Sequence, residues 1–184
     1  MVAENAMDAS DVRRTLGTGG VSTIAYATTE LSPETVQSRG LLARFRSSST
    51  ASDDVDAAQK VSGLVRQAVQ SRLTCPADVS SVERALMVLA GPPEEFSRKG
   101  IEDARSWLEQ RTGTMDVLAG DSPQPTADEL SAVVLLSNPT QVPRVDHLQR
   151  RAVEAKENRD SKAGAREDAI SKLITDDGEQ LDPL

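Results

Sequence analysis

Two short, unbroken apolar runs constrain the fold of this chain more than any other feature: ALMVLA at residues 85–90 and AVVLL at 132–136. Each has the length of a β-strand and falls far below the roughly 18 apolar residues that cross a bilayer as a helix. A continuous run, unlike an alternating one, implies a strand covered on both faces, and so a layered fold with helices against a sheet. Only 2% of the residues are aromatic, so Val, Leu, Ile and Ala must fill the core. With 184 residues there is material for one domain of ordinary size and a tail.

The remaining elements follow from period and punctuation. DASDVRRTL at 8–16 predicts a short helix capped by Asp8 or Ser10 and ended by Gly17. After the GTGG turn at 17–20, β-branched residues predict a first strand over 21–27. Residues 28–54 hold Pro33, Gly40 and RSSSTAS without a sustained period, and are expected to form a variable, mobile or functional loop. From Asp54 to the Cys75-Pro76 stop, Ala58, Val61, Val65, Ala68, Val69 and Arg72 fall at helical spacing, with Leu64 beside them. A second strand is expected over 83–90. Ser97 caps a helix over 98–111 with Ile101, Ala104, Trp107, Leu108 and the Arg111 stem inward, and Gly113 ends it. A third strand is expected over 114–119, a loop over 121–128 and a fourth strand over 130–137. Pro143 opens a last helix to about residue 157, with Val145, Leu148, Ala152 and Val153 inward. The apolar period then fades, and 159–184 reads as an acidic, disordered or weakly helical tail. The order helix, strand, helix, strand, helix, strand, strand, helix predicts an α/β chain, specifically an α+β two-layer sandwich with a four-stranded sheet.

Charge narrows the function. The chain carries 29 acidic and 21 basic residues, a net charge of -8, which disfavours nucleic acid or an anionic membrane as partner. The basic residues are 16 Arg and 5 Lys. A Lys-poor acidic surface suits a salt-rich cytoplasm, but many proteins of ordinary habitat share such a balance, and both readings stay open. The N-terminal residues lack a signal-peptide pattern, so the expected location is cytoplasmic. A single cysteine, Cys75, and a single histidine, His147, leave no internal disulfide, no multi-thiolate metal site and no Ser/His/Asp set. GTGG precedes a strand, whereas phosphate loops follow a strand and open a helix, so these glycines are not expected to cradle a nucleotide.

Asp8 and Asp11 stand three apart at a helix start, so both carboxylates project toward the same end. N-capping accounts for such a pair. Orienting and deprotonating a water is the other use such a pair allows. Spacing does not choose between them.

The ordered set ERALMVLAGPPE (83–94), RKGIEDARSWLEQRTG (98–113) and GDSPQP (120–125) resembles the C-terminal half of the archaeal tubulin/FtsZ-like CetZ family. So do DASDVRRTLGTGGVSTIAYA (8–27) and VVLLSNPTQVPRVDHLQRRAVEA (133–155), and the closing ITDDGEQL resembles the family's acidic tail. The resemblance covers most of residues 7–158, with a gap across 28–54. It implies a T7-like loop and short helix over 1–20, a tubulin/FtsZ C-terminal-like α/β domain over 21–158 and the acidic tail over 159–184. In such proteins the loop enters the nucleotide pocket of the next subunit, where its acids position the hydrolytic water. By this resemblance Asp8 and Asp11 are the activating acids, acting in trans. The FtsZ pattern has an Asn two residues before the first acid; that slot here is Ala6, with Asn5 one residue further away. The resemblance further implies GTP and Mg2+ for the full-length family but no cofactor in this chain, which lacks the GTP-binding domain and is expected to be inactive alone. The implied role is part of a cytoskeletal GTPase of cell-shape control, with full-length CetZ-like subunits as partners and a further protein partner for the tail. A truncated gene product and a free-standing, non-catalytic module that caps or regulates filaments are both compatible with it.

Overall fold

The computed structural model describes residues 7–31, 50–71 and 73–178. Of the loop expected over 28–54, residues 32–49 lie outside the described residues, as do Asn5, Arg72 and the last six residues; 28–30 belong to a strand and 50–54 to a helix. The chain divides into two compact units, 1–142 and 143–184.

The first unit holds α1 (Ala9–Leu16), β1 (Ser22–Glu30), α2 (Thr50–Gln70), β2 (Arg84–Gly91), α3 (Arg98–Thr112), β3 (Val117–Pro123) and β4 (Glu129–Ser137), with 3-10 turns at Val79–Ser81 and Pro93–Glu95. With the last helix included, the element order is the expected one. The strands form one sheet in the order β1-β4-β2-β3. β4 lies antiparallel to both β1 and β2, while β2 and β3 run parallel, joined through α3.

The inner face of the sheet carries Ala25 and Ala27 of β1, Ala85, Met87 and Leu89 of β2, and Leu130, Ala132, Val134 and Leu136 of β4, all buried. Helices α2 and α3 contribute to the same core. The expected α2 stripe of Ala58, Val61, Leu64, Val65, Ala68 and Val69 is buried throughout. Where α3 approaches α2, a Cβ on Gly100 would stand 2.8 Å from the Ala58 Cα and 2.9 Å from the Val61 Cβ, so only glycine permits this crossing. Arg66 lies 5.7 Å from the centroid of the half-buried Trp107 ring, a cation–π contact between the two helices.

Several boundaries differ from expectation. β1 continues to Glu30 because β4 offers a partner for every residue, Thr28 pairing with Ser131 and Glu30 with Glu129. α2 starts at Thr50 and stops at Gln70, before Cys75. The chain after it caps the outer edge of β1 instead: Thr74 N–H donates to Ile24 O (3.0 Å), and Thr74 Oγ1 accepts from Ile24 N–H (2.9 Å). Part of an otherwise open sheet edge is thereby satisfied. Arg111 is exposed; Thr112 takes the buried place one turn after Leu108, its hydroxyl donating to Leu108 O (2.7 Å). β3 begins at Val117 rather than Thr114, because 114–116 forms a side-chain-bonded turn in which Thr114 Oγ1 donates to Glu83 O (2.8 Å) and accepts from Asp116 N–H (3.1 Å). The strand runs on to Pro123, a residue an edge strand tolerates. Leu86 apart, which is buried on the opposite face, the two apolar runs are fully buried on the inner face alone. Val88 and Ala90 of β2, and Val133 and Leu135 of β4, are half-buried on the other face, while Ile24 and Tyr26 of β1 are exposed there. In a two-layer fold both helices sit on one side.

The described residues of the second unit form a single helix, α4 (Pro143–Gly178), of 36 residues. Of the tail expected over 159–184 to be disordered or weakly helical, the described residues 159–178 are helical. Ala, Glu, Lys and Arg, good helix formers, supply 16 of its 36 residues and support the helix where the apolar period gives no signal. Leu148 and Val153, expected inward, are exposed, as are Ile170, Leu173 and Ile174. No helix among the described residues is long and apolar enough to cross a membrane.

Candidate functional site

Asp8 and Asp11 meet at the start of α1. Asp8 is the N-cap, in extended backbone, and its Oδ1 accepts from Ser10 N–H (2.7 Å), Asp11 N–H (3.2 Å) and the Ser10 hydroxyl. Asp11 reaches back, its Oδ2 accepting from Asp8 N–H (3.2 Å). This reciprocal pair is a capping box built with Asp at the third helical position. Two negative charges at the positive end of the helix dipole, and Arg13 and Arg14 in its last turn, suit the element electrostatically. The Ser10 hydroxyl bond, followed by the amide bonds from Ser10 and Asp11, holds the Asp8 carboxyl below its ordinary value of 3.8. A carboxylate so stabilised is a weaker base but a well-fixed hydrogen-bond acceptor.

The seating of α1 is mostly polar. Thr15 is its buried residue. Arg84, at the start of β2, donates from Nη1 to Arg14 O (2.8 Å) and from Nε to Asp116 Oδ2 (2.7 Å), and Arg14 Nη2 reaches Asp116 Oδ1 at 3.5 Å. Thr18 and Ser137 share a hydroxyl hydrogen bond of 2.8 Å. The turn after α1 needs its glycines: Gly19 and Gly20 have φ of 75° and 70°. A Cβ on Gly20 would stand 2.2 Å from Asn138 Oδ1. Asn138, itself at φ 51°, donates from its backbone N–H to Val21 O (2.9 Å) and from Nδ2 to Glu83 Oε2 (2.8 Å). The GTGG segment therefore serves to bring α1 beside the ends of β1, β2 and β4.

Sequence reasoning placed Asp8 and Asp11 at one helix end and missed Arg84, Asp116 and Asn138. Arg84 bonds a carbonyl 70 residues away, a separation that no local pattern encodes. His147 is exposed on α4, and Cys75 is a half-buried free thiol whose N–H donates to Thr23 Oγ1 (3.0 Å). Asp121 is nearly buried, and its Oδ1 has no hydrogen-bond partner among the described residues. It lies on β3, paired in register with Leu89 of β2. Among the described residues, no three His, Cys, Asp or Glu side chains gather as a metal site.

Comparison with known proteins bears on the family and the fold. Residues 1–154 match the family model of the tubulin-like CetZ C-terminal domain. The tubulin-like protein CetZ1 of Haloferax volcanii is 45% identical over 160 residues, covering 85% of this chain and 40% of its own length. The solved structure of CetZ1 from Haloferax volcanii as a GDP-bound monomer superposes with a TM-score of 0.67 at 40% identity, over 82% of this chain and 39% of that one. CetZ2 from the same organism, solved as a GTPγS-bound protofilament, superposes with a TM-score of 0.64 at 34% identity, over 84% and 40%. The chain thus spans about 40% of the length of these relatives. The matched model, these identities and the shared mixed sheet together place the chain in the tubulin-like CetZ family, whose C-terminal domain it carries.

Proposed function

We propose that this chain supplies the activating face of a tubulin-like cytoskeletal GTPase of cell-shape control, working in the cytoplasm. In this reading the loop before α1 enters the nucleotide pocket of a neighbouring full-length CetZ subunit. GTP, with its Mg2+, is the neighbour's substrate. Asp8 and Asp11 accept hydrogen bonds from the attacking water and align it on the terminal phosphorus; the bond to the bridging oxygen breaks, leaving GDP and phosphate. The lowered basicity of Asp8 favours orientation by a fixed charge over outright proton abstraction. The observation that carries the reading is the pair of acids at the tip of α1, each carboxylate accepting from the other residue's backbone N–H, in a family with a relative solved as a GTPγS-bound protofilament. The acidic end of the chain is assigned to a protein partner.

A second reading is favoured by the same capping box, which gives both acids a structural task without chemistry. The chain is then a non-catalytic module that docks on a filament end and caps or regulates it. One titration separates the two: the chain is added to full-length CetZ2 with GTP and Mg2+, and phosphate release is followed with light scattering. The activating reading requires a rise in phosphate release that Asp8→Ala with Asp11→Ala lowers by about 10²–10⁴ while docking is kept. Equal stimulation by the double variant leaves the acids as caps only, and no change in polymer mass or rate at large excess overturns both readings.

A further inference from the structure

The acids sit at one end of α1, and what aims that end is at the other. α1 has eight residues, and its buried residue, Thr15, is polar, so apolar packing gives the helix little grip. The Thr15 hydroxyl is spent inside the helix, donating to Asp11 O (3.0 Å). The long-range bonds from the helix itself to the sheet converge on Arg84 and Asp116. Arg84 Nη1 meets the carbonyl of Arg14 in the last turn, where the helix dipole is negative and a cation is favoured. Its Nε meets Asp116 at 2.7 Å, and Asp116 also reaches Arg14 of the helix. Arg84 and Asp116 are each about one-third exposed, so water screens the pair only in part. The guanidinium is planar, with its donors at fixed angles. It therefore fixes direction as well as distance, tying the axis of α1 to the starts of β2 and β3.

We infer that Arg84, held by Asp116, is a positioning residue for the acid pair: it sets the orientation in which α1 presents Asp8 and Asp11 to a neighbouring subunit. This rests on the activating role proposed above for those acids. Displacements of about 1 Å at a reacting centre cost up to 10²-fold in rate, and a tilt about the C-terminal end of α1 moves the acids most, because they lie at the far end.

The test compares wild type, Arg84→Gln, Arg84→Lys and the control Arg105→Gln, which removes an ion pair on α3. Amide hydrogen exchange is read across residues 12–18, together with phosphate release by full-length CetZ2 at saturating chain and the chain concentration giving half-saturation. Arg84→Gln is expected to speed exchange in α1 about tenfold and lower stimulation about 10- to 10²-fold, with half-saturation moved less than about twofold. Arg84→Lys, which bonds Arg14 O or Asp116 but not both, recovers part of the loss. Arg105→Gln changes neither. Unchanged exchange in α1, or full stimulation by Arg84→Gln, overturns the inference while leaving the activating role of the acids intact. A wild-type chain that does not stimulate overturns that activating role instead, and the exchange data alone then decide whether Arg84 holds α1. If Arg84→Gln loses protection across β2 and β4 as well, Asp116→Asn opens the same clamp from its other side and replaces it.

Discussion

Helices α1 and α3 are written in similar local grammar and held by different physics. Each starts at a side-chain cap, Asp8 in one and Ser97 in the other, and each ends at a glycine, Gly17 and Gly113. α3 then buries Gly100, Ala104, Leu108 and Thr112, one residue per turn, against α2 and the sheet. α1 buries Thr15 and is tied down by a guanidinium and a carboxylate, with a Thr18–Ser137 hydroxyl bond in the turn that follows it. Close packing makes α3 intolerant of any change in volume. Polar anchorage leaves α1 tolerant of volume but dependent on particular partners. A scaffold helix is built in the first way, and a helix that presents chemistry to another molecule is usefully built in the second.

The largest expected effect tests the packed side of this contrast. Leu108 is fully buried, so Leu108→Ala should lower stability by about 2–5 kcal/mol in urea unfolding. Leu16, 43% exposed in α1, should tolerate Ala within about 0.5 kcal/mol. Similar losses at both would erase the distinction. Next in size, Gly100→Ala should destabilise by about 1–3 kcal/mol, because its Cβ enters the backbone of Ala58. The same substitution at Gly63 of α2 meets nothing within 4 Å and should stabilise by about 0.4–1 kcal/mol, through a less flexible unfolded chain. Thermal melts of the two variants should move in opposite directions; a shared sign would show that α2 and α3 do not cross at Gly100.

The smallest expected effect concerns the caps. The folded pKa of Asp8 is depressed, so its contribution is complete above the ordinary value of 3.8 and is lost as pH falls through the lower folded value. Ser97 does not titrate. Below pH 3.8, amide exchange corrected for intrinsic rates should therefore rise in the first turn of α1 before it rises in the first turn of α3. Simultaneous fraying would mean that Asp8 is not what holds the start of α1.

Much of this was legible along the chain. The caps at Asp8 and Ser97, the stop at Gly113, the buried stripe of α2 and the four strands all follow from local period and capping chemistry. The meeting of Asp8 and Asp11 follows from helical spacing alone. Failures fell where a distant segment decided. β3 moved three residues because Glu83 and Asp116 bind the 114–116 turn, and β1 lengthened because β4 runs beside it. The tail over 159–184 stays open in the sequence between disorder and weak helix, because without an apolar stripe only propensity speaks; its described residues 159–178 are helical.

The sequence by itself determined the order of elements, the apolar character of the core and the placing of two acids at a helix start, because these depend on residues within a few turns of one another. Tertiary structure decided the strand order β1-β4-β2-β3, the face on which the apolar runs, Leu86 apart, are fully covered, and the hold of Arg84 on α1. Each of these joins groups tens of residues apart, and such pairings are chosen by the packing and hydrogen bonding of the whole chain, which no local periodicity records.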